Sequence, residues 1–102
     1  MSIKKQFLKT KPVCKVSFKL SNELANGASK VNIVGDFNNW NETSDEMNTL
    51  KDGSYSLSLD LETGREYQFR YLLDGSVWVN DEAADSYCNS GFGDAQNSVI
   101  SL

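Results

Sequence analysis

The sequence has no histidine and only two cysteines among its 102 residues. Histidine is the commonest general base and a frequent metal ligand, so its absence argues against most acid–base catalysis and metal binding. Two cysteines without histidine do not make a structural zinc site. One cysteine pair does not make a disulfide framework either. We expect two free thiols, Cys14 in a strand and Cys88 in a loop. A disulfide between them remains an alternative until their separation is known.

Acidic residues are absent before Glu23, whereas six of the ten basic residues precede residue 20. From Glu23 onward, fourteen acidic residues stand against four basic ones, a surplus of ten negative charges. Such a body repels phosphate backbones, which argues against nucleic acid as a partner. The lysine-rich start could contact an acidic partner, but we expect it to complement the acidic body.

Long apolar runs are also missing, so we expect no membrane partner. The first residues, MSIKKQFLKTK, lack the apolar middle region and small-residue cleavage site of a secretion signal, which predicts a cytoplasmic protein. No glycine-rich phosphate loop precedes a helix. The plentiful carboxylates are expected to form a solvated acidic rim and not a catalytic pair. The sequence therefore predicts neither an enzyme nor a cofactor.

Alternation of apolar and polar residues is present almost throughout the chain. It is clear in CKVSFKL, YSLSLDL and REYQFRYLL, and the dipeptides Asp52-Gly53 and Asp74-Gly75 favour hairpin turns between strands. The pattern predicts an all-β, immunoglobulin-like β-sandwich of about six to eight antiparallel strands. We assign residues 13–102 to this domain. Residues 1–12 are an N-terminal extension, for which Ile3, Phe7 and Leu8 predict a short helix.

The two tryptophans stand at strand ends among polar residues. In VGDFNNWNE, Trp40 is either a core residue or a surface platform, and we expect the surface, with Phe37 turned inward. Trp78 in VWV remains open between core and surface. A flat ring covers the C–H face of a sugar, and amide or guanidinium groups then bond its hydroxyls. Side chains of that kind near the tryptophans are Arg70, Asn38, Asn39, Asn80, Gln96 and Asn97.

Five segments together resemble one known family: VGDFNNW, LKDGSYSLSLDL, GREYQFRYLLDGSVW, ND and FGDAQNSVI. The family is the early-set immunoglobulin-like domain of carbohydrate-binding module family 48. It includes the N-terminal domains of isoamylase, pullulanase and glycogen-branching enzymes, and the glycogen-binding domain of the AMP-activated kinase β subunit. The likeness covers about residues 13–102, and it is nearest to small stand-alone bacterial members.

The resemblance implies a non-catalytic module that binds α-1,4-linked glucan, with Trp40 as the stacking platform. Arg70 stands where the glycogen-binding members have lysine, and Trp78 matches their second tryptophan after one inserted residue. The resemblance also implies site roles for Phe92, Gln96 and Asn97, with the alternative that Asn97 only holds its loop. Asn39, beside Trp40, is predicted as a sugar contact from its position and its amide group. A different function remains open: a protein-interaction module that docks a glucan-processing enzyme or another partner without binding sugar.

Overall fold

The protein folds into strands joined by short turns in the computed structural model, which describes residues 3–91 and 95–102. Phe92, one of the implied site residues, lies outside the described residues. A one-turn helix, α1, spans Asn22–Ala25. The described chain contains nine strands: β1 Ile3–Phe7, β2 Val13–Leu20, β3 Val31–Gly35, β4 Asn48–Thr49, β5 Tyr55–Glu62, β6 Glu66–Leu73, β7 Val77–Val79, β8 Ser86–Asn89 and β9 Gln96–Ser101.

These strands form two antiparallel sheets. The first has the order β1-β2-β5-β4, and the second has the order β3-β6-β9-β8, with β7 also paired to β6. The arrangement confirms the predicted all-β, immunoglobulin-like sandwich. Within the described residues, no helix is long and apolar enough to cross a membrane.

The core lies between the sheets and is built from the alternate residues that the period-two pattern assigns to the inner faces. Phe18 from β2 meets Phe69 from β6 with ring centroids 5.2 Å apart. Phe37 packs onto both, at 5.9 and 6.3 Å, so it is turned inward as predicted. Edge-to-face and tilted aromatic pairs of this kind stabilise a core beyond their buried area.

Ile3–Phe7 form strand β1, so the predicted short helix is wrong. β1 pairs with β2 from Ile3 opposite Phe18 to Phe7 opposite Cys14. Ile3 is buried in the core, and the Lys5 ammonium bonds Asp85 at 2.6 Å, linking the first sheet to the second. The unpaired edge of β2 lets these five residues form backbone hydrogen bonds along a whole strand. These bonds stabilise the segment more than an isolated short helix would, because helices of this length are unstable on their own.

The two cysteines are unpaired, as predicted. Cys14 is buried in β2 of the first sheet. Cys88 lies in β8 and pairs with Asn97 of β9, so its predicted placement in a loop is wrong. The short, polar sequence of β8 carries no apolar alternation that would identify it as a strand.

The Asp74-Gly75 turn is the predicted hairpin between β6 and β7. Both residues have positive φ, 50° and 72°, as the two central residues of a type I′ hairpin turn require. The Asp74 carboxylate also accepts the backbone N–H groups of Ser29 and Lys30. At Asp52-Gly53 the chain turns with only Gly53 in the left-handed region.

A buried polar cluster ties β6 to the segment after β7. The Tyr71 hydroxyl donates to the Asp81 carboxylate at 2.5 Å, and both residues are almost fully buried. The backbone N–H of Asp81 donates to the Ser98 hydroxyl, and the Asp81 carboxylate accepts the backbone N–H of Ala83. Burial, with the charge of Asp81 and the hydrogen bond to it, raises the pKa of Tyr71 well above its usual value of 10.0.

Replacing Tyr71 by phenylalanine is expected to lower the free energy of unfolding by about 2 kcal/mol at pH 7, because the buried carboxylate loses a donor. The loss should shrink above pH 10. There the unfolded tyrosine releases its proton while the folded one keeps it, so the contribution of Tyr71 falls by up to about 1.4 kcal/mol per pH unit. Urea unfolding of both proteins at pH 7 and pH 11 measures this difference. An equal difference at both pH values would contradict the raised pKa.

Candidate functional site

An open cavity of about 640 Å³ lies on the outer face of the second sheet. Its floor comes from β6 and β9, where Gln68, Arg70 and Asn97 alternate with residues that point into the core. The residues that line it are Trp40, Glu42, Gln68, Arg70, Trp78, Ser90, Ala95 and Asn97.

Trp40 reaches this cavity through a tight turn at the end of β3. Residues Asp36–Asn38 form a 3₁₀ turn, and then Asn39 and Trp40 both adopt left-handed conformations, with φ of 56° and 57°. A tryptophan in this region is uncommon and must be held by its surroundings. The backbone N–H of Trp40 donates to the Gly35 carbonyl at 2.9 Å.

Asn38 holds the turn closed. Its side-chain oxygen accepts the Gly35 N–H at 3.0 Å, while its amide nitrogen donates to the Ile33 carbonyl and the Asp45 carboxylate. All its side-chain bonds are internal, so Asn38 shapes the turn and is not presented to the cavity. Local side-chain bonds of this type are why asparagine favours turns.

The two tryptophans are both accessible. Trp40 is half-buried, and its indole N–H donates to Asp36 at 2.9 Å. Trp78 is 39% exposed in β7, which resolves the alternative that the sequence left open. The Arg70 guanidinium lies 5.9 Å from the Trp78 ring centroid, within the range of a cation–π contact.

Arg70 is oriented by hydrogen bonds that link it to Asn97 and, through Asn97, to Gln68. Its Nε donates to the Asn97 oxygen at 2.6 Å, and the Asn97 amide donates to the Gln68 oxygen at 3.0 Å. Asn97 is only 5% exposed, so it acts mainly by holding Arg70. Within residues 3–91 and 95–102, no protein group bonds the terminal guanidinium nitrogens. These donors are therefore available to a ligand at the cavity.

Two of the predicted site residues, Gln96 and Asn39, do not line the cavity. Gln96 has the same orientation along β9 as the core-facing Ser98 and Ile100, and its backbone carbonyl accepts the Asn80 amide at 2.9 Å. Asn39 is exposed in the turn beside Trp40. The cavity thus unites Trp40, Trp78, Arg70 and Asn97 of the predicted set.

Glu42, Gln68, Ser90 and Ala95 line the cavity without having been predicted. A signal existed for Gln68, because it shares the outward face of β6 with Arg70. No local pattern marks Glu42, which is exposed and forms no ion pair with Arg70 in the described structure.

The lining residues that the structure describes combine two aromatic rings with one cation, one carboxylate and two amides. Rings of this kind cover apolar ligand faces, and the polar groups donate to and accept from hydroxyls. Over the described parts of the chain, no group of three or more cysteine or acidic side chains is placed to hold a metal ion. The arrangement suits a neutral, polyhydroxylated ligand with flat apolar faces.

Comparison with curated proteins finds no match. Comparison with sequence families finds one that is described as the glycogen recognition site of AMP-activated protein kinase, and it matches residues 19–99. The match runs from the end of β2 into β9 and includes every described residue of the cavity. The chain therefore belongs to this glycogen recognition family.

Proposed function

We propose that the chain is a non-catalytic module that binds α-1,4-linked glucan at this cavity. The observation that carries the proposal is that Trp40 and Trp78 line one cavity together with Arg70. Trp40 stacks on a glucose face, and the free guanidinium nitrogens of Arg70 donate to its hydroxyls. Membership of a glycogen recognition family supports the choice of glucan.

A binding role is favoured over hydrolysis by the carboxylates at the cavity. Glycoside hydrolysis uses two carboxyl groups that flank the scissile bond. Among the described lining residues, only Glu42 carries one. Asp36 lies nearby, but both its oxygens accept protein N–H groups, from Trp40 and Gln68.

Titration with maltoheptaose tests the proposal. We expect saturable changes in the two indole N–H resonances and in tryptophan fluorescence, with a dissociation constant on the order of 0.1–1 mM, because an open cavity encloses little of its ligand. Cellohexaose, built from the same sugar through β-linkages, is the matched control and should give much smaller changes. No change at millimolar maltoheptaose, or equal responses to both sugars, would contradict α-glucan recognition.

A further inference from the structure

Asp36 is half-buried beside the cavity, and both oxygens of its carboxylate are engaged. Oδ1 accepts the indole N–H of Trp40 at 2.9 Å. Oδ2 accepts the backbone N–H of Gln68 at 2.8 Å. The last residue pair between β3 and β6 is Gly35 with Phe69, so the Gln68 N–H lies just beyond that ladder. Asp36 thus joins the tip of the Trp40 ring to the floor of the cavity.

The bonds continue across the cavity floor. The side-chain oxygen of Gln68 accepts from Asn97, and Asn97 accepts from Arg70. Arg70 in turn lies against the Trp78 ring. The aromatic platform and the cationic group are therefore fixed relative to one another through a path of internal bonds that starts at Asp36.

We propose that Asp36 is a positioning residue that fixes the orientation of the Trp40 ring for ligand stacking; this rests on the proposed glucan binding. A ring that is already oriented loses little freedom when ligand stacks on it, whereas a free ring must be ordered at the cost of affinity. The indole bond to a carboxylate is charge-assisted and hence stronger than a neutral one.

The test replaces Asp36 by alanine and follows two readouts. The Trp40 indole N–H resonance, assigned by its persistence in Trp78→Phe, is expected to shift and to exchange faster with solvent, while the Trp78 resonance stays in place. The dissociation constant for maltoheptaose should rise about ten-fold. Asp60→Asn is the control, since Asp60 is exposed on β5 in the other sheet, and it should change neither readout.

A double-mutant cycle separates positioning from a purely structural role. Trp40→Phe keeps a ring but removes the N–H donor, so adding Asp36→Ala to it should change affinity less than about two-fold if Asp36 acts through the indole. An undiminished ten-fold loss in the Trp40→Phe background would overturn the proposal. So would an unmoved indole resonance in Asp36→Ala.

If Asp36→Ala does not fold, the isosteric Asp36→Asn provides the same cycle with an expected loss of about three-fold, since one acceptor oxygen remains. Failure of the proposed glucan binding can be distinguished from failure of the positioning role of Asp36. A wild-type protein that binds no maltoheptaose removes the glucan role, and the indole shift and exchange rate still decide whether Asp36 fixes Trp40.

Discussion

Replacing Trp40 by alanine is expected to weaken maltoheptaose binding at least about thirty-fold, equal to about 2 kcal/mol, while the protein stays folded. The affinity falls because the cavity loses the ring that stacks on the sugar. The fold persists because Trp40 is only partly buried and does not belong to the buried core between the sheets. Indole and amide titrations measure the affinity, and urea unfolding measures the stability.

Phe7→Ala is the matched control for this experiment. Phe7 is also an exposed aromatic residue, 54% accessible, but it lies in β1 of the first sheet and does not line the cavity. It should leave the affinity for maltoheptaose unchanged. Wild-type affinity in Trp40→Ala would place the ligand elsewhere, and unfolding would show that Trp40 is a core residue after all.

Most of the fold is predictable from the sequence because alternation directly reports which side of a strand is buried. In β5 and β6 the apolar residues are the buried or half-buried ones, and the polar residues between them face outward. β1 and β8 were not predicted, because a short segment with little apolar alternation becomes a strand only when the unpaired edge of a sheet lies beside it. That edge is a property of the assembled sheets and leaves no local pattern.

The candidate site is predictable only in part, because its residues come from distant segments. The turn composition around Asn38 indicates an exposed Trp40, and Arg70 is indicated both by its outward position in its strand and by the family resemblance. The choice between Gln96 and Asn97 depends on a single step of strand register, which decides whether a side chain faces the cavity or the core side. Asp36 gave no signal of its own, since its role depends on the backbone of Gln68, 32 residues away.

Replacing Gly35 by alanine is expected to lower the free energy of unfolding by about 3 kcal/mol. A Cβ at this position would lie 2.4 Å from the Gln68 carbonyl oxygen and 2.6 Å from the Phe69 Cβ. The backbone at Gly35 is extended, with φ of −173°, so glycine is needed for space and not for its dihedral freedom. β3 and β6 would have to separate where they support the Trp40 turn. Urea unfolding measures the loss.

Gly64→Ala separates this steric effect from a general cost of removing glycine. Gly64 has φ of 81°, and no described atom beyond its chain neighbours lies within 4 Å of the place that an alanine methyl group would occupy. Alanine there should therefore cost only about 1–2 kcal/mol, from the left-handed conformation alone. Gly35→Ala should also perturb the Trp40 indole resonance, because Gly35 bonds both Trp40 and Asn38 through its backbone. A loss no greater than that of Gly64→Ala, with an unmoved indole resonance, would mean that the strands accommodate the methyl group and that the turn does not depend on their close approach.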